Sequence, residues 1–321
     1  MTKRTFKIAG IAASAVVTAL VLSACGGQST ETGTNDDGGL TGAVTADGSS
    51  TVAPLTEAAA DQYRSIESGV NVTVATSGTG GGFAAFCAGE TDISNASREI
   101  KDEEAALCEE NGIEFTEIVM ANDGLSVIVP VENDWAECLT VEQLATIWGP
   151  DSEGTITNWS QVDPSFPDEE LALFGAGTDS GTFDYFTDAV NGEEGAIRTD
   201  YSPSEDDNIT IQGVSGAAGG IGFLGLSYVE ENADVIRAVA IDGGAGCVEA
   251  NVETVQSGEY TPLARPLFIY VANESYTGNE AVKSFVDFYV ENAASIAEDA
   301  VFVPLTEEQI STAADQLASL G

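Results

Sequence analysis

The chain of 321 residues carries 53 acidic side chains, ten basic ones and no histidine, which gives a formal net charge of −43 at pH 7. So few basic residues disfavour a nucleic-acid partner, because Lys and Arg neutralise the phosphate backbone in such complexes. Without histidine, neither a Ser-His-Asp triad nor a histidine-ligated metal site can form in the chain.

The first 24 residues have the features of an export signal. Lys3, Arg4 and Lys7 precede an apolar run over residues 8–22, which is shorter than the ~18–20 residues that a membrane span requires. The sequence LSAC ends at Cys25 and resembles the lipobox of a bacterial lipoprotein. This resemblance implies cleavage before Cys25 and lipidation of that cysteine, with an ordinary signal peptide as the alternative.

Residues 25–40 are polar and glycine-rich and show no apolar periodicity. Such a composition predicts a flexible tether. A lipid anchor followed by a tether would hold the folded part of the chain on the extracytoplasmic face of the cell membrane.

Hydrophobic periodicity predicts strands and helices that alternate along the rest of the chain. In chain order, the first part has predicted strands at residues 41–48, 70–78, 113–121 and 125–131, and a short strand with a loop at 91–100. The other predicted elements of this part are a loop and helix at 49–65, a turn and helix at 79–89, and a helix at 101–112. The second part has predicted helices at 140–149, 181–190 and 279–300, and strands at 171–177, 220–225, 236–241 and 265–272. This alternation indicates an α/β fold with mainly parallel sheets.

Four loops rich in small polar residues come after predicted strands, over residues 48–51, 77–82, 94–98 and 177–182. In α/β folds, such loops lie together at the carboxyl ends of the strands. They offer hydroxyl groups, backbone N–H groups and one guanidinium. These are the donors that a buried oxyanion requires, because an unpaired oxygen in a dehydrated site costs several kcal/mol.

The candidate oxyanion-binding residues are Ser50, Thr51, Ser77, Gly78, Thr79, Arg98, Asp179, Ser180, Gly181 and Thr182. In the stretch GAGTDSGTFDYF the loop runs directly into an amphipathic helix, whose free N–H groups favour an anion. Clusters of Ser, Thr and Gly also form caps and turns, so each loop has a purely structural alternative. Arg98 has one as well, an ion pair with nearby Glu99 or Asp102.

Four cysteines follow the predicted cleavage site: Cys87, Cys108, Cys138 and Cys247. An even number of cysteines in an exported chain favours disulfides over metal binding. Cys87 and Cys108 are close in sequence and are expected to pair, which would leave Cys138 for Cys247. Three pairings remain open on the sequence alone.

Four stretches, DGSSTVAPLTEAAADQY, SGTGGGFAAFCAGETDISNASREI, GAGTDSGTFDYF and GGIGFLGLSYV, resemble the phosphate-binding subunit of the bacterial phosphate ABC transporter. The resemblance runs from about residue 44 to the C-terminus. It implies a type II periplasmic-binding-protein fold, in which two α/β lobes are joined by a two-strand hinge with a ligand cleft between them. The lobes would be residues 41–121 with 268–321, and residues 122–267. The family binds inorganic phosphate, hands it to permease subunits and uses no cofactor.

The resemblance assigns phosphate binding to Ser50 and Thr51, to residues 77–79 and to residues 180–182. Family members often have an arginine where this chain has Ala176, and Arg98 is the expected substitute. Some members also have an aspartate near position 97 that accepts the phosphate proton.

The best candidate for that acceptor here is Asp179, with Asp47 and Asp123 as further candidates. Such a carboxylate accepts the proton that phosphate retains near neutral pH and repels fully ionised sulfate, so it would separate the two anions.

Three other functions are considered. A binding protein of the same fold could take another oxyanion, such as sulfate or molybdate, and would need no acceptor aspartate. An enzyme acting on phosphate esters is disfavoured, because the chain has no histidine, no G-x-S-x-G elbow and no phosphate loop of the G-x-x-x-x-G-K-[ST] type. A surface adhesion or sensory protein of the same fold would lack a permease partner.

Overall fold

Strands and helices alternate through the computed structural model, which describes residues 33–34, 39–178 and 180–320. The predicted signal segment, Cys25 and Asp179 lie outside the described residues. Within the described ranges, no helix is long and apolar enough to cross a membrane.

The strands are β1 (Gly33–Thr34), β2 (Leu40–Gly48), β3 (Gly69–Val74), β4 (Ile93–Ala96), β5 (Phe115–Pro130), β6 (Cys138–Thr140), β7 (Ala172–Ala176), β8 (Ser202–Ser204), β9 (Gly220–Gly225), β10 (Ile236–Ala238), β11 (Ala240–Asp242), β12 (Cys247–Val248) and β13 (Ala264–Ala272).

The helices are α1 (Ala53–Arg64), α2 (Gly78–Cys87), α3 (Asp102–Asn111), α4 (Val141–Trp148), α5 (Trp159–Val162), α6 (Gly181–Asn191), α7 (Asp207–Ser215), α8 (Leu226–Glu231), α9 (Val252–Gln256), α10 (Asn273–Gly278), α11 (Glu280–Glu291), α12 (Ala293–Asp299) and α13 (Glu307–Ala318), with a 3-10 turn at Pro150–Ser152.

The main sheet has the strand order β1-β2-β4-β13-β5-β9-β7-β8, with β3 paired to β2 and β10 to β5. Strand β2 is parallel to β3 and β4, and β7 is parallel to β8 and β9. In the centre, however, β13 runs antiparallel to β4 and β5, and β5 runs antiparallel to β9. The expectation of mainly parallel sheets is therefore wrong: the sheet is mixed, because two long central strands join two parallel halves.

The strands predicted at 113–121 and 125–131 are one continuous strand, β5. The segment between them, Asn122 to Gly124, reads locally as a turn, yet it pairs with β13, with Asp123 directly opposite Arg265. Pairing with β13 outweighs the weak strand preference of Asn, Asp and Gly. The predicted helix at 279–300 also differs, because it divides at Asn292 into α11 and α12.

Two large clusters of buried side chains form the main cores. The first core packs α1, α11 and α12 against β2, β5 and β13, and its largest members include Leu55, Tyr63, Phe285 and Tyr289. The second core packs α4 and α6 against β7 and β9 around Trp148, Trp159, Phe186 and Phe223. The rings of Phe186 and Phe223 are stacked with centroids 4.0 Å apart. Helix α1 therefore belongs to one core and α6 to the other.

Two disulfides each link a pair of secondary-structure elements. Cys87 pairs with Cys108 and joins α2 to α3, whereas Cys138 pairs with Cys247 and joins β6 to β12. Of the three pairings that the sequence left open, the structure confirms the one expected from sequence proximity.

Candidate functional site

Three helices begin at two neighbouring cavities of the molecule. Helix α1 and helix α6 begin at a cavity of about 350 Å³, and helix α2 begins at a cavity of about 1050 Å³. The N-termini of α1 and α2 have no side-chain cap. Because a helix N-terminus carries a partial positive charge and unpaired N–H groups, this arrangement favours an anion.

The small cavity contains half of the predicted site. Its lining includes Ser50, Thr51, Ser180, Gly181 and Thr182. Ser180 is the N-cap of α6, and its hydroxyl accepts a hydrogen bond from the Thr182 N–H at 3.2 Å. The structure thus brings the two loops that precede α1 and α6 together, as the sequence predicts.

The large cavity contains the other predicted loops. It is lined by Ser77, Gly78, Thr79 and Arg98, among others. The Thr79 hydroxyl lies 3.1 Å from the Ser97 hydroxyl. The two sets of predicted residues therefore line adjacent cavities, and the structure does not gather them in one pocket.

Two of the predicted residues already have strong partners. Asp47 accepts hydrogen bonds from the backbone N–H of Ser77 at 3.0 Å and from its hydroxyl at 2.9 Å, so this carboxylate fixes the turn before α2. Arg98 donates from both terminal nitrogens to Glu104, each at 2.8 Å, and its guanidinium carbon lies 5.6 Å from the centre of the Phe83 ring. The ion-pair alternative for Arg98 is thus realised, with Glu104 as its carboxylate partner.

Arg265, which the sequence analysis did not select, lies where the predicted loops meet. It lines the large cavity, and its Nη2 donates to the Thr51 hydroxyl at 3.1 Å, a residue of the small cavity. Its Nη1 donates to the backbone oxygen of Ser97 at 3.4 Å. Its guanidinium carbon lies 3.6 Å from the centre of the Tyr185 ring. Arg265 therefore contacts the loop before α1, the loop after β4 and helix α6.

The carboxylate opposite Arg265 is Asp123, whose Oδ2 lies 3.2 Å from the Arg265 Nε. Asp123 is 8% exposed and lines the small cavity. Burial raises the pKa of Asp123, and the adjacent Arg265 charge acts in the opposite direction. Of the three aspartates predicted as acceptors, Asp123 is the one that the described structure places against the small cavity.

More carboxylates than cations surround this pair. Asp184, in the first turn of α6, has a pKa that is raised by burial and held down by Arg265 and by a hydrogen bond from Ser50. Burial and repulsion from Asp184 and Asp188 also raise the pKa of Glu194, which lines the large cavity. Arg265 thus offsets the charge of several acidic groups.

Only a weak sequence signal marks Arg265. It is one of seven basic residues after the predicted cleavage site, and it stands at the start of the apolar stretch RPLFIYVA. Its importance depends on its position opposite Asp123, which local patterns do not show. In the described part of the chain, no group of three or more His, Cys, Asp or Glu side chains could hold a metal ion.

Comparison with known proteins places this arrangement in a family. Residues 28–293 match the family model described as the PBP superfamily domain. The protein SphX of Synechocystis sp. is 45% identical over 265 residues, which cover 83% of this chain and 79% of SphX. The phosphate-binding protein PstS of Staphylococcus saprophyticus is 36% identical over 296 residues, which cover 92% of this chain and 89% of PstS.

A solved structure gives the same result. The crystal structure of a possible phosphate binding protein from Planctomyces limnophilus superposes with a TM-score of 0.83 at 42% identity, covering 87% of this chain and 99% of that one. The resemblance found in the sequence is therefore confirmed, and the mixed α/β architecture is that of a periplasmic binding protein. The chain belongs to the PBP superfamily, in the family that includes the phosphate-binding proteins named PstS.

Proposed function

We propose that this chain is an extracytoplasmic, lipid-anchored receptor that binds inorganic phosphate and delivers it to the permease of an ABC importer. The names of its relatives support phosphate as the ligand, since PstS is a phosphate-binding protein and the Planctomyces limnophilus structure is described as a possible one. These proteins are named for binding, and we infer a binding protein rather than a phosphate-ester-directed enzyme.

The observation that carries the proposal is that Arg265 contacts both Thr51, in the loop before α1, and Tyr185, in α6. A guanidinium has five N–H groups, and within the described residues three of those of Arg265 donate to Asp123, Thr51 and Ser97. Two N–H groups of the Arg265 guanidinium are left for an anion. A tetrahedral oxyanion can therefore be held by one arginine and by backbone and hydroxyl donors.

Asp123 supports phosphate over sulfate or molybdate. Phosphate retains a proton near neutral pH, and a buried carboxylate that accepts this proton would repel an anion that has none. The family resemblance left Asp179, Asp47 and Asp123 as candidates. Asp179 lies outside the described residues, and of the other two Asp123 lines the small cavity, so we assign the acceptor role to Asp123.

We further propose that residues 41–121 with 268–321 and residues 122–267 act as two lobes that close on phosphate. The first core is built mainly from the former ranges and the second from the latter, with Leu267 in the first core and Val303 in the second as exceptions. An anion that contacts Thr51 and Gly181 together would stabilise the closed form. Small-angle scattering tests this step, because an unchanged radius of gyration at saturating phosphate would argue against closure.

The lipid anchor at Cys25 is the part of the proposal that depends on the sequence alone. Mass spectrometry of the mature N-terminal peptide checks it directly. A peptide that begins at Cys25 with an added diacylglyceryl group is expected. A free N-terminus at any other residue would indicate an ordinary signal peptide.

Calorimetric titration of the ligand-stripped protein with phosphate, sulfate and molybdate between pH 5 and 8 tests the ligand. We expect tight phosphate binding and at least ~100-fold weaker binding of sulfate, in line with the discrimination that a buried polar partner provides. Equal binding of sulfate or molybdate would favour a receptor for another oxyanion. Binding of none of the three would contradict a transport receptor.

A further inference from the structure

We propose that Tyr185 is a positioning residue for the anion site. Its ring holds the Arg265 guanidinium in the orientation in which the arginine binds the ligand. The proposal rests on the phosphate-binding function inferred above and gives a role to Tyr185, which lies in the stretch GAGTDSGTFDYF but is not among the predicted site residues. It concerns orientation of the arginine and gives Tyr185 no contact with the ligand itself.

The geometry of the pair is specific. The guanidinium carbon of Arg265 lies 3.6 Å from the centre of the Tyr185 ring, which is the distance of a cation over an aromatic face. Tyr185 is 7% exposed, so the contact is largely shielded from water. Its hydroxyl donates to the backbone oxygen of Pro262 at 2.6 Å, which fixes the ring against the segment that precedes β13. The ring is therefore held at both ends and covers one face of the guanidinium.

Helix α6 connects the ring to the anion site. Tyr185 is four residues after Gly181 and three after Thr182, and residues at these spacings lie on the same face of a helix. One helical face thus carries the N-terminal donors at its first turn and the ring that supports Arg265 at its second. Movement of α6 would displace both parts of the site together.

An unsupported arginine would bind more weakly. The long side chain has many rotamers, and ordering it on binding costs free energy that a pre-oriented guanidinium does not spend. Asp123 and Thr51 hold the edge of the Arg265 guanidinium, at 3.2 and 3.1 Å, and the ring of Tyr185 holds its face. With the hydrogen bond to the Ser97 backbone oxygen, these contacts leave two of the five Arg265 N–H groups for the ligand within the described residues.

Calorimetric titration of the full-length protein in detergent with inorganic phosphate tests the role of the ring. We expect Tyr185→Phe to bind within about threefold of the natural protein, because it keeps the ring, and Tyr185→Leu to bind roughly 10- to 30-fold more weakly. In an Arg265→Gln background, Tyr185→Leu is expected to change affinity by less than about threefold, because the cation that the ring supports is gone.

Tyr201→Leu is the matched control. Tyr201 packs edge-on against Trp148 in the same core and donates to the backbone oxygen of Ala176 at 2.9 Å. The Tyr201→Leu variant should have a lower thermal stability than the natural protein and a phosphate affinity within about threefold of it, since no guanidinium lies on the Tyr201 ring. A further series places fluorinated phenylalanines at position 185, which weaken the negative ring face with little change of shape and so remain informative if Tyr185→Leu fails to fold.

The outcomes are distinct. Affinity that falls with each added fluorine, with rescue by Tyr185→Phe, supports the proposal. Three results would overturn it. They are an unchanged phosphate affinity in Tyr185→Leu, an equal loss of affinity from Tyr185→Leu with Arg265 or Gln at position 265, and an affinity that does not change with the number of fluorine atoms. Failure of the unaltered protein to bind phosphate would instead contradict the proposed function.

Discussion

Gly181 at the start of α6 lies directly against Thr51, so that a β-carbon on Gly181 would overlap the Thr51 hydroxyl and lie 2.8 Å from the Thr51 α-carbon. Thr51 leads into α1 of the first core, and Gly181 begins α6 of the second core. The two helix N-termini therefore meet at this contact. Glycine is required here because of the close approach, whereas its backbone conformation is ordinary.

Gly181→Ala is expected to weaken phosphate binding by at least ~10-fold, because the added methyl group forces the two N-termini apart. Alanine favours helix more than glycine does, so helix propensity should not lower thermal stability. Isothermal calorimetry measures the affinity. The control is Gly278→Ala, where an added β-carbon meets no atom within 4 Å. Equal affinity of Gly181→Ala and the natural protein would show that this contact is not part of the binding-competent form.

Arg265→Gln is expected to reduce phosphate affinity by at least ~100-fold, because it removes a largely buried charge partner of the ligand. Arg98→Gln is expected to reduce it by less than about fivefold, because both terminal nitrogens of Arg98 are engaged by Glu104. The two variants are compared by calorimetry at one pH and salt concentration. A larger loss in Arg98→Gln would restore Arg98 as the main cation of the site.

Asp123→Asn is expected to narrow the difference in affinity between phosphate and sulfate by at least ~10-fold, because the neutral amide no longer repels sulfate. The pH dependence follows from the pKa of Asp123, which burial raises. As pH falls through this raised pKa, the carboxylate gains a proton and cannot accept one from phosphate. Discrimination should therefore weaken in acid in the natural protein, and competition titrations at pH 8 and pH 5 measure it. If the ratio of phosphate affinity to sulfate affinity depends on pH to the same extent in Asp123→Asn as in the natural protein, a group other than Asp123 causes the effect.

Asp200→Asn is expected to destabilise the fold by about 1–2 kcal/mol at pH 7. Arg198 is buried, and its only charged partner within the described residues is the partly exposed carboxylate of Asp200. The hydrogen bonds from Arg198 lower the pKa of Asp200 to about 2. A depressed acid pKa contributes stability that is present above the unfolded value of ~3.9 and is lost as pH falls towards the folded value.

Thermal unfolding of Asp200→Asn and the natural protein from pH 7 to pH 2 checks this expectation. The difference between them should persist down to about pH 4 and then shrink. The matched control is Asp61→Asn, which removes an exposed i,i+3 pair with Arg64 and should change stability by less than ~0.5 kcal/mol. A difference for Asp200→Asn that stays constant down to pH 2 would rule out the linkage.

The association rate of phosphate is expected to increase severalfold between 10 and 300 mM salt. The net charge of −43 repels an approaching anion, and salt shortens the range of this repulsion from ~30 Å at 0.01 M to less than 10 Å above 0.1 M. Stopped-flow measurements give the rate directly. Competition of chloride with phosphate for the site would lower the association rate as salt increases. A rising rate therefore indicates that salt screens the repulsion between the protein and phosphate. A constant or falling rate would show that the local field of Arg265 and the helix N-termini already controls encounter.

Much of the local structure could be predicted because its signals lie within a few residues of one another. The turn before α6 is an example: the sequence SGT predicts a helix start, and Ser180 caps this helix by accepting a hydrogen bond from the Thr182 N–H. Thr51 likewise lies in a loop that the sequence places before a helix, and α1 begins two residues later at Ala53. The alternation of predicted helices with apolar strands predicted an α/β fold, and four longer sequence stretches carried the family resemblance.

Other features required the tertiary structure, because they depend on residues far apart in the chain. The pairing of Arg265 with Asp123 joins residues 142 positions apart and exists only because β5 and β13 are adjacent in this register. The same pairing turns the apparent loop around Asp123 into the middle of a long strand. The sequence offered an anion, Glu99 or Asp102 as the partner of Arg98, and the structure pairs Arg98 with Glu104 in the first turn of α3.

The sequence by itself therefore determined which loops are candidates for oxyanion donors and approximately where the helices behind them begin, because capping and hydrophobic periodicity act over three or four residues. The tertiary structure decided which cation and which carboxylate those loops surround. An ion pair across two strands is set by sheet order and register, and these are fixed by the packing of the whole fold and not by any segment within it.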